Sequence, residues 1–374
     1  MSMLTRIKAS DVDEQALWDA VAAVEDPEIH RSLGELGMLR EARASRGGKV
    51  SVEVALTTPA CPMRERLRAD ITAAATSVAG VGAVEVSFGT LSERERLGLS
   101  QRLREQRATG IGEHTRVYAV ASGKGGVGKS SVTANLAVTL AAQGNRVGVL
   151  DADVWGHSVP QLFGVRRNPV ALKGLMLPVE AHGVRLMSVG FFVEEGEPVV
   201  WRGPMLHKAL EQFLTDVHWD DPDVLLIDLP PGTGDITLSL LELLPQAALL
   251  AVTTPQSAAQ TVASRVGRMA RDMRMPVAGV VENMSSLACE CGRHTALFGS
   301  GGGERLAAEL DTELLGQIPI DAALTASGDA GVPVVAGEPQ APSAVALAEV
   351  AQRLPVVKRS LAGVPLPLSV VGTG

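Results

Sequence analysis

The possible folds of this chain are limited above all by a glycine-rich loop at residues 122–130. The loop has the sequence Ser-Gly-Lys-Gly-Gly-Val-Gly-Lys-Ser, follows an aliphatic stretch at 117–121 and leads into a helical segment at 130–143. Its spacing matches the pattern G-x-x-x-x-G-K-[ST], in which a loop joins a strand to a helix. A strand followed at once by a helix is typical of a parallel sheet covered by helices, so we expect an α/β domain here.

The chain beyond this loop alternates between strand-like and helical segments. Strands are predicted at 117–121, 146–151, 184–189, 224–228, 247–253, 277–281 and 314–318. Helices are predicted at 130–143, 204–215, 236–244, 257–272, 304–309 and 343–354. Apolar residues make up 46% of the chain and aromatic residues only 3%, so the core must consist mainly of Val, Leu, Ile and Ala. We therefore predict an α/β domain over residues 116–355, with a mostly parallel sheet flanked by helices.

A smaller unit precedes this domain. Helical spacing at 15–25 and 62–77, alternating valines at 49–57 and a short strand at 83–88 predict a small α+β domain over residues 1–90. Residues 91–113 are rich in Arg and Glu and predict a solvated, charged helical linker. The tail at 356–374 ends in Gly-Thr-Gly, and we expect it to be flexible.

Charge and composition exclude several classes of protein. The formal net charge of −8 argues against nucleic-acid binding, which requires clustered positive charge. The first residues lack the features of a signal peptide, and no stretch approaches the roughly 20 apolar residues that span a bilayer. The 3 cysteines do not form a disulfide framework. We expect a cytoplasmic protein that binds neither nucleic acid nor membranes.

The glycine-rich loop predicts a site for the phosphates of ATP. Its glycines allow backbone N–H groups to converge on phosphate oxygens, and the following helix N-terminus adds partial positive charge. Lys129 is predicted to reach the β- and γ-phosphates, and the Ser130 hydroxyl is predicted to ligate Mg²⁺. The predicted nucleotide contacts in the loop are Gly123, Lys124, Gly125, Gly126, Val127, Gly128, Lys129, Ser130 and Ser131.

Two carboxylates end strands at the edge of the sheet where ligands bind. Asp153 follows the strand at 146–151, and Asp228 ends the strand at 224–228. Because the carboxyl ends of parallel strands meet at one edge, both side chains are expected near the loop. Gly232 and Gly234 allow the segment after Asp228 to rearrange around a phosphate. A structural alternative for either Asp alone is a helix cap.

The additional lysine of the loop, Lys124, resembles the signature of the deviant Walker A ATPases, which include partitioning ATPases, the nitrogenase iron protein and arsenite-pump ATPases. In that group this lysine reaches the partner's nucleotide across a dimer. The resemblance therefore implies a homodimer, with Lys124, Lys129 and Asp153 as catalytic residues. It also implies that Asp153 orients the attacking water, that Asp228 holds Mg²⁺ through water and that Asn283 contacts adenine.

Longer motifs resemble the Mrp/ApbC-type iron–sulfur cluster carriers over residues 116–355. They are the loop, Asp-Ala-Asp-Val-Trp-Gly-His-Ser-Val-Pro at 151–160, Asp-Leu-Pro-Pro-Gly-Thr-Gly-Asp at 228–235 and Val-Glu-Asn-Met-Ser at 281–285. Near the N-terminus, Asp-Pro-Glu-Ile at 26–29, Leu-Gly-Met at 36–38 and Thr-Thr-Pro-Ala-Cys-Pro at 57–62 resemble the small domain of iron–sulfur assembly factors. The resemblance implies an ATP-hydrolysing carrier that transfers a labile iron–sulfur cluster to apo-proteins.

The resemblance assigns the cluster to Cys289 and Cys291. In the family, two cysteines of each subunit bind a bridging cluster, commonly [4Fe–4S], at the dimer interface. The family spacing is C-x-x-C, whereas this chain has C-x-C, so zinc is an alternative ligand for the same sulfurs. His294 is a candidate auxiliary ligand. Cys61 precedes a predicted helix that would favour its thiolate, and it either relays a cluster or is a small buried residue.

Three other functions fit a chain of this kind. A positioning ATPase of the partitioning type would require a basic or amphipathic membrane- or DNA-binding segment, and the tail at 356–374 has only Lys358 and Arg359 as charged residues. An iron-protein-like reductase would require well-separated cysteine ligands. An ATP-gated scaffold without a cluster is not distinguished from a carrier by the sequence.

Overall fold

A computed structural model of the chain describes residues 12–59, 63–105, 111–112, 114–154, 156, 158–192, 203–232, 237, 242–244, 246–288 and 293–356. Several predictions fall outside these described residues. They concern Cys61, Cys289, Cys291, Gly234, most of the helix at 236–244 and the tail from residue 357.

The N-terminal part of the chain forms the small α+β unit. Its elements are α1 (Glu14–Ala22), α2 (Leu33–Leu36), β1 (Leu39–Ala44), β2 (Lys49–Leu56), α3 (Arg64–Thr76) and β3 (Ala83–Thr90). The central strand β2 is antiparallel to β1 and parallel to β3. Val50, Val52 and Val54 of β2 are buried and the residues between them are exposed, because successive side chains of a strand point to opposite faces.

The charged segment at 91–113 contains helix α4 (Glu93–Glu105). This helix is not solvated on all sides, because Leu99 and Leu103 are buried in the core of the N-terminal unit. Arg102 also donates a hydrogen bond of 3.0 Å from Nη2 to the Leu36 carbonyl. The polar composition of this segment is that of a surface helix, and its two buried leucines are one turn apart on the face that meets the core.

The larger unit has the predicted α/β architecture. Its strands are β4 (Arg116–Ser122), β5 (Val147–Asp151), β6 (Val170–Leu172), β7 (Leu175–Leu177), β8 (Val179–Ala181), β9 (Val184–Ser188), β10 (Val224–Asp228), β11 (Ala248–Thr253), β12 (Val277–Ala288), β13 (His294–Thr295) and β14 (Leu314–Ile320). Its helices are α5 (Lys129–Ala142), α6 (Val159–Leu162), α7 (Gly203–Thr215), α8 (Ser257–Asp272), α9 (Gly302–Glu309), α10 (Ala322–Ala330), α11 (Val334–Gly337) and α12 (Pro342–Arg353).

The main sheet has the strand order β13-β12-β11-β4-β10-β5-β9-β8, and β14 pairs with β12. The strands from β14 through β9 pair in parallel, whereas β8 and β13 pair antiparallel with their neighbours. All residues of β5, β10 and β11 are buried. These continuous aliphatic strands are covered by helices on both faces, and the fold class predicted from the sequence is confirmed.

Two features of this unit depart from the predicted pattern. Strand β12 extends seven residues past the predicted end at 281 and pairs with β13, which forms a hairpin around residues 289–293. The hairpin β6–β7 was not predicted, and its residues Leu172, Leu175 and Leu177 are buried in the core of the N-terminal unit. In the described part of the chain, no helix combines the length and apolar composition needed to cross a membrane.

Candidate nucleotide site and metal-binding segment

The glycine-rich loop joins β4 to α5 at the carboxyl edge of the sheet. Gly126 and Gly128 have φ angles of 79° and 81°, a left-handed conformation that side chains with a Cβ rarely adopt. Gly128 is the residue before the first turn of α5, so the helix begins at Lys129 with its N–H groups facing the loop. The sequence thus places an anion-binding helix terminus where the predicted phosphates would lie.

The loop lines a cleft of about 360 Å³. Residues of two segments complete its walls: Asp153, Gly156 and Ser158 after β5, and Pro231 after β10. The loop residues that face the cleft are Ser122, Lys124, Gly125, Gly126, Val127, Gly128, Lys129, Ser130 and Ser131. The structure therefore brings Asp153 together with nearly all predicted loop contacts, while Gly123, Asp228 and Asn283 lie outside the cleft lining.

Lys129 is buried among carboxylates at the base of the cleft. Its side chain is 6% exposed, and Nζ lies 2.7 Å from Oδ2 of Asp228 and 3.7 Å from Oδ2 of Asp153. The Ser130 hydroxyl donates a hydrogen bond of 2.5 Å to the same Asp228 oxygen. A lysine, a hydroxyl and a carboxylate are thus in contact at one point. The hydroxyl and carboxylate oxygens are ligands that suit Mg²⁺, and the lysine suits a phosphate beside it.

A further residue, Thr133, contacts the other oxygen of Asp228. Its hydroxyl lies 2.9 Å from Asp228 Oδ1 and 3.0 Å from the Lys129 carbonyl, so its single proton is shared between two acceptors. Sequence reasoning missed Thr133 because the loop pattern ends at Ser130. Thr133 lies four residues, about one helical turn, after Lys129, so the two residues share a helix face. This spacing was the sequence signal that could have identified Thr133.

Two carboxylates meet because β5 and β10 are adjacent strands in register. Asp151 pairs directly with Asp228 across the two parallel strands. Burial, reinforced by the negative charge of Asp228, raises the pKa of Asp151 to about 8. Its two oxygens accept hydrogen bonds from the Asp153 N–H at 3.1 Å and the Ser188 hydroxyl at 2.9 Å. Asp151 therefore orients the start of the segment that carries Asp153.

The segment after Asp153 forms a tight turn. Oδ1 of Asp153 accepts a hydrogen bond of 3.1 Å from the Gly156 N–H, and the side chain is 9% exposed. This turn leads within a few residues to helix α6. Asp153 is therefore not a helix cap, since α6 begins only at Val159; it closes a turn and lies at the cleft beside Lys129.

Lys124 lies at the opposite side of the loop. Its Nζ donates a hydrogen bond of 2.9 Å to Oε1 of Gln256, the residue just before helix α8. The side-chain amide of Gln256 therefore holds Lys124 by a hydrogen bond within the same chain. Sequence reasoning missed this residue because nothing in the local pattern at 253–256 points to the loop.

Asn283 is buried and bonded to the loop. Its Nδ2 donates a hydrogen bond of 2.9 Å to the carbonyl of Val127, and its Oδ1 accepts one of 2.9 Å from the Met284 N–H. Met284 has a φ of 58°, a conformation that is uncommon for a residue with a Cβ. This amide therefore holds the loop against β12, and its contact with adenine stays a prediction.

The predicted metal-binding cysteines follow β12 directly. Ala288 ends this strand and pairs with His294 of β13, so Cys289 and Cys291 belong to the five-residue connection of the hairpin. His294 is exposed beside that connection. Among the described residues, no group of three or more His, Cys, Asp or Glu side chains is arranged to hold a metal ion. The cysteine ligands that the family resemblance implies lie in that connection, outside the described residues.

Comparisons with known proteins agree with this geometry. Residues 113–355 match the model of the NUBPL iron-transfer P-loop NTPase family, and residues 14–88 match that of the iron–sulfur cluster assembly protein family. An iron–sulfur cluster carrier protein of Mycobacterium leprae is 47% identical over 95% of this chain and 96% of its own. A carrier protein of Synechocystis is 40% identical over 91% of this chain and 96% of its own.

Solved structures give the same fold. A nucleotide-binding protein from Archaeoglobus fulgidus, in complex with ADP, is 36% identical with a TM-score of 0.53, and the match covers 63% of this chain and 90% of that one. The septum site-determining protein MinD of Pyrococcus horikoshii, complexed with Mg-ADP, has a TM-score of 0.51, and the match covers 68% of this chain and 100% of that one. Because the two sequences are only 23% identical, this match shows the fold alone. The chain belongs to the family of iron-transfer P-loop NTPases that includes the iron–sulfur cluster carrier proteins.

Proposed function

We propose that this chain binds Mg²⁺-ATP at the loop 123–131, hydrolyses it, and carries a labile iron–sulfur cluster between two copies of itself for delivery to apo-proteins. The observation that supports this most directly is the contact of Lys129, Ser130 and Asp228 at the base of the cleft. Three residues of one P-loop site converge there from one helix, α5, and one strand, β10.

Each residue of the cleft has a separate role in phosphoryl transfer. Lys129 exchanges its contacts with Asp228 and Asp153 for phosphate oxygens, which offer it stronger negative charge. Ser130 and Asp228, supported by Thr133, would hold Mg²⁺, which would neutralise charge on the phosphates. Asp153, once separated from Lys129, accepts a hydrogen bond from the attacking water and orients it. Lys124 reaches the nucleotide of the partner copy after leaving Gln256.

The cargo requires a second copy of the chain. Cys289 and Cys291 supply two thiolates, and a cluster with four cysteine ligands needs two chains related by a two-fold axis. A [4Fe–4S] cluster shared in this way has only two ligands from each chain, so it would lose half of its ligands when the dimer opens. Strand β12 connects the cargo segment to the loop, because it carries Asn283 near its middle and ends one residue before Cys289.

Anaerobic reconstitution with iron and sulfide tests the proposal. Wild type and the double variant Cys289→Ala/Cys291→Ala are loaded in parallel, and iron, zinc and sulfide are counted per dimer. Cys61→Ala serves as the matched control, since it removes one thiol elsewhere. We expect one cluster per dimer in the wild type and the control, and none in the double variant.

Two results would contradict the carrier function. Zinc without sulfide in the wild type would identify a zinc site. ATP hydrolysis by both proteins with no cluster in either would make the chain an ATP-gated scaffold. Hydrolysis itself is checked by phosphate release, which Lys129→Ala should abolish.

A further inference from the structure

A charged contact joins the N-terminal unit to the ATPase domain. Arg167, which follows helix α6, donates a hydrogen bond of 3.0 Å from Nη1 to Oε1 of Glu28 and one of 3.2 Å from Nη2 to the Glu180 carbonyl. The Glu28 side chain is 5% exposed and that of Arg167 is 26% exposed. Both terminal nitrogens of the guanidinium are engaged, so Arg167 bridges the two units in a defined orientation.

Glu28 is held in place by the Asp-Pro-Glu-Ile motif. Asp26 Oδ1 accepts hydrogen bonds of 3.0 Å from the Glu28 N–H and 2.9 Å from the Ile29 N–H, which fixes the turn. Burial, with the negative charge of Asp26, raises the pKa of Glu28 above its ordinary value, and Arg167 opposes that rise. The buried acids of this motif therefore build a contact between domains.

Further contacts surround this pair. His30 is bonded to Glu180 of β8, and Lys173 between β6 and β7 is paired with Glu93 of α4. The Ser100 hydroxyl donates a hydrogen bond of 2.9 Å to the Lys173 carbonyl. Together with the buried leucines of the β6–β7 hairpin, these contacts dock the N-terminal unit on one face of the ATPase domain.

Helix α6 lies between the nucleotide cleft and Arg167: Ser158, just before the helix, lines the cleft, and Arg167 follows the last residue of the helix by five positions. Gly164, after α6, is in contact with the backbone of Gly331, and this close packing leaves the segment little freedom. We therefore expect a shift of the cleft end of α6 to move Arg167, because one short helix joins the two.

We propose that Glu28 and Arg167 are positioning residues, which couple docking of the N-terminal unit to the position of Asp153 at the nucleotide cleft. The inference rests on the proposed nucleotide function. In this structure the docked unit coexists with the contact of Asp153 to Lys129. Because a phosphate competes with Asp153 for Lys129, nucleotide binding and docking oppose each other.

Hydrogen–deuterium exchange of the full chain, with and without Mg²⁺-ADP, tests the coupling. The amides of 123–131 report nucleotide binding, and those of 26–33 report docking. In the wild type we expect ADP to slow exchange at 123–131 and to speed it about threefold or more at 26–33.

Three variants sharpen the test. Arg167→Ala should speed exchange at 26–33 about tenfold without nucleotide and remove the effect of ADP. Arg166→Ala removes the exposed neighbouring arginine and should behave as the wild type, while Arg167→Lys should keep part of the coupling. Because coupling is reciprocal, Arg167→Ala should also bind ADP about fivefold more tightly, which a merely structural loss would not produce.

The outcomes separate this inference from the proposed function. Slower exchange at 123–131 with no change at 26–33 in the wild type overturns the coupling and leaves the nucleotide site standing. No change in either segment overturns both. Unchanged or weaker ADP binding by Arg167→Ala also overturns the coupling.

Discussion

Asp228 is the residue at which the contacts of the nucleotide site converge. Lys129, Ser130 and Thr133 all bond to its two oxygens, and Asp151 lies beside it on the neighbouring strand. A buried carboxylate is costly unless positive charge and hydrogen-bond donors surround it. The site therefore depends on donors that are not part of the loop pattern, and two predictions follow from named members of this group.

Thr133→Val is expected to weaken binding of Mg²⁺-ATP about fivefold, because Asp228 loses one donor worth about 1 kcal/mol. The measurement is isothermal titration calorimetry. Thr139→Val is the matched control, since Thr139 is also buried in α5 and donates to the Asn135 carbonyl. Equal affinities for the two variants would show that the Thr133 hydroxyl has no role at the site.

Asp151→Asn is expected to change how stability depends on pH. The folded pKa of Asp151, about 8, lies above that of the unfolded chain, so its contribution favours folding at low pH and is lost as the pH rises towards 8. Wild type should therefore lose about 1 kcal/mol of unfolding free energy per pH unit between pH 5 and 7 from this group. The variant should lack this slope.

Urea unfolding at pH 5, 6, 7 and 8, without nucleotide and with EDTA, measures that slope. Asp272→Asn, which removes an exposed carboxylate, serves as the control and should keep the wild-type slope. Identical slopes in wild type and Asp151→Asn would mean that Asp151 is ionised throughout this range.

At the scale of elements, the turns that end α6 and α10 pack against each other through two glycines. Gly164 and Gly331 have φ angles of 65° and 74°, and a Cβ on Gly331 would lie 2.5 Å from Gly164 Cα. The two turns approach so closely that no side chain fits between them. This contact joins the segment after Asp153 to the C-terminal helices.

Gly331→Ala is therefore expected to lower the unfolding free energy by about 2–4 kcal/mol, through backbone strain and overpacking together. Gly144→Ala is the control, because Gly144 has a φ of 88° but open space around its Cα. That variant should lose only about 1 kcal/mol from the left-handed backbone. Chemical unfolding measures both, and equal losses would show that the glycine contact is not tight in solution.

At the scale of the whole molecule, the two units share a core. The leucines of the β6–β7 hairpin belong to the ATPase domain in sequence but are buried with Leu17, Ile71 and Val52 of the N-terminal unit. A shared core makes the two units unfold together more readily than independent domains joined by a linker.

Leu175→Ala should therefore destabilise the N-terminal unit by about 2–4 kcal/mol, although the residue lies outside its sequence. Hydrogen exchange of the β2 amides measures this loss. Leu97→Ala on α4 removes a leucine that is 39% exposed and should change the exchange little. Unchanged protection of β2 in Leu175→Ala would mean that the units fold separately.

The sequence by itself determined the α/β class, the position of the nucleotide loop and the strand-end location of Asp153 and Asp228. These features follow from local rules: aliphatic runs form buried parallel strands, glycines permit the loop, and carboxyl ends of such strands share an edge. The family resemblance carried by the motifs was confirmed by the comparisons.

Only the tertiary structure decided which distant residues complete the site. Gln256 and the hairpin leucines carry no local signal for their contacts, since strand order and helix packing set those contacts. The spacing of Thr133 from Lys129 indicates a shared helix face, but it does not identify Asp228 as the partner. The same holds for Glu28 and Arg167, which are 139 positions apart in sequence. Periodicity shows which face of an element is buried, but it does not show which partner covers that face, and here the partner is the other domain.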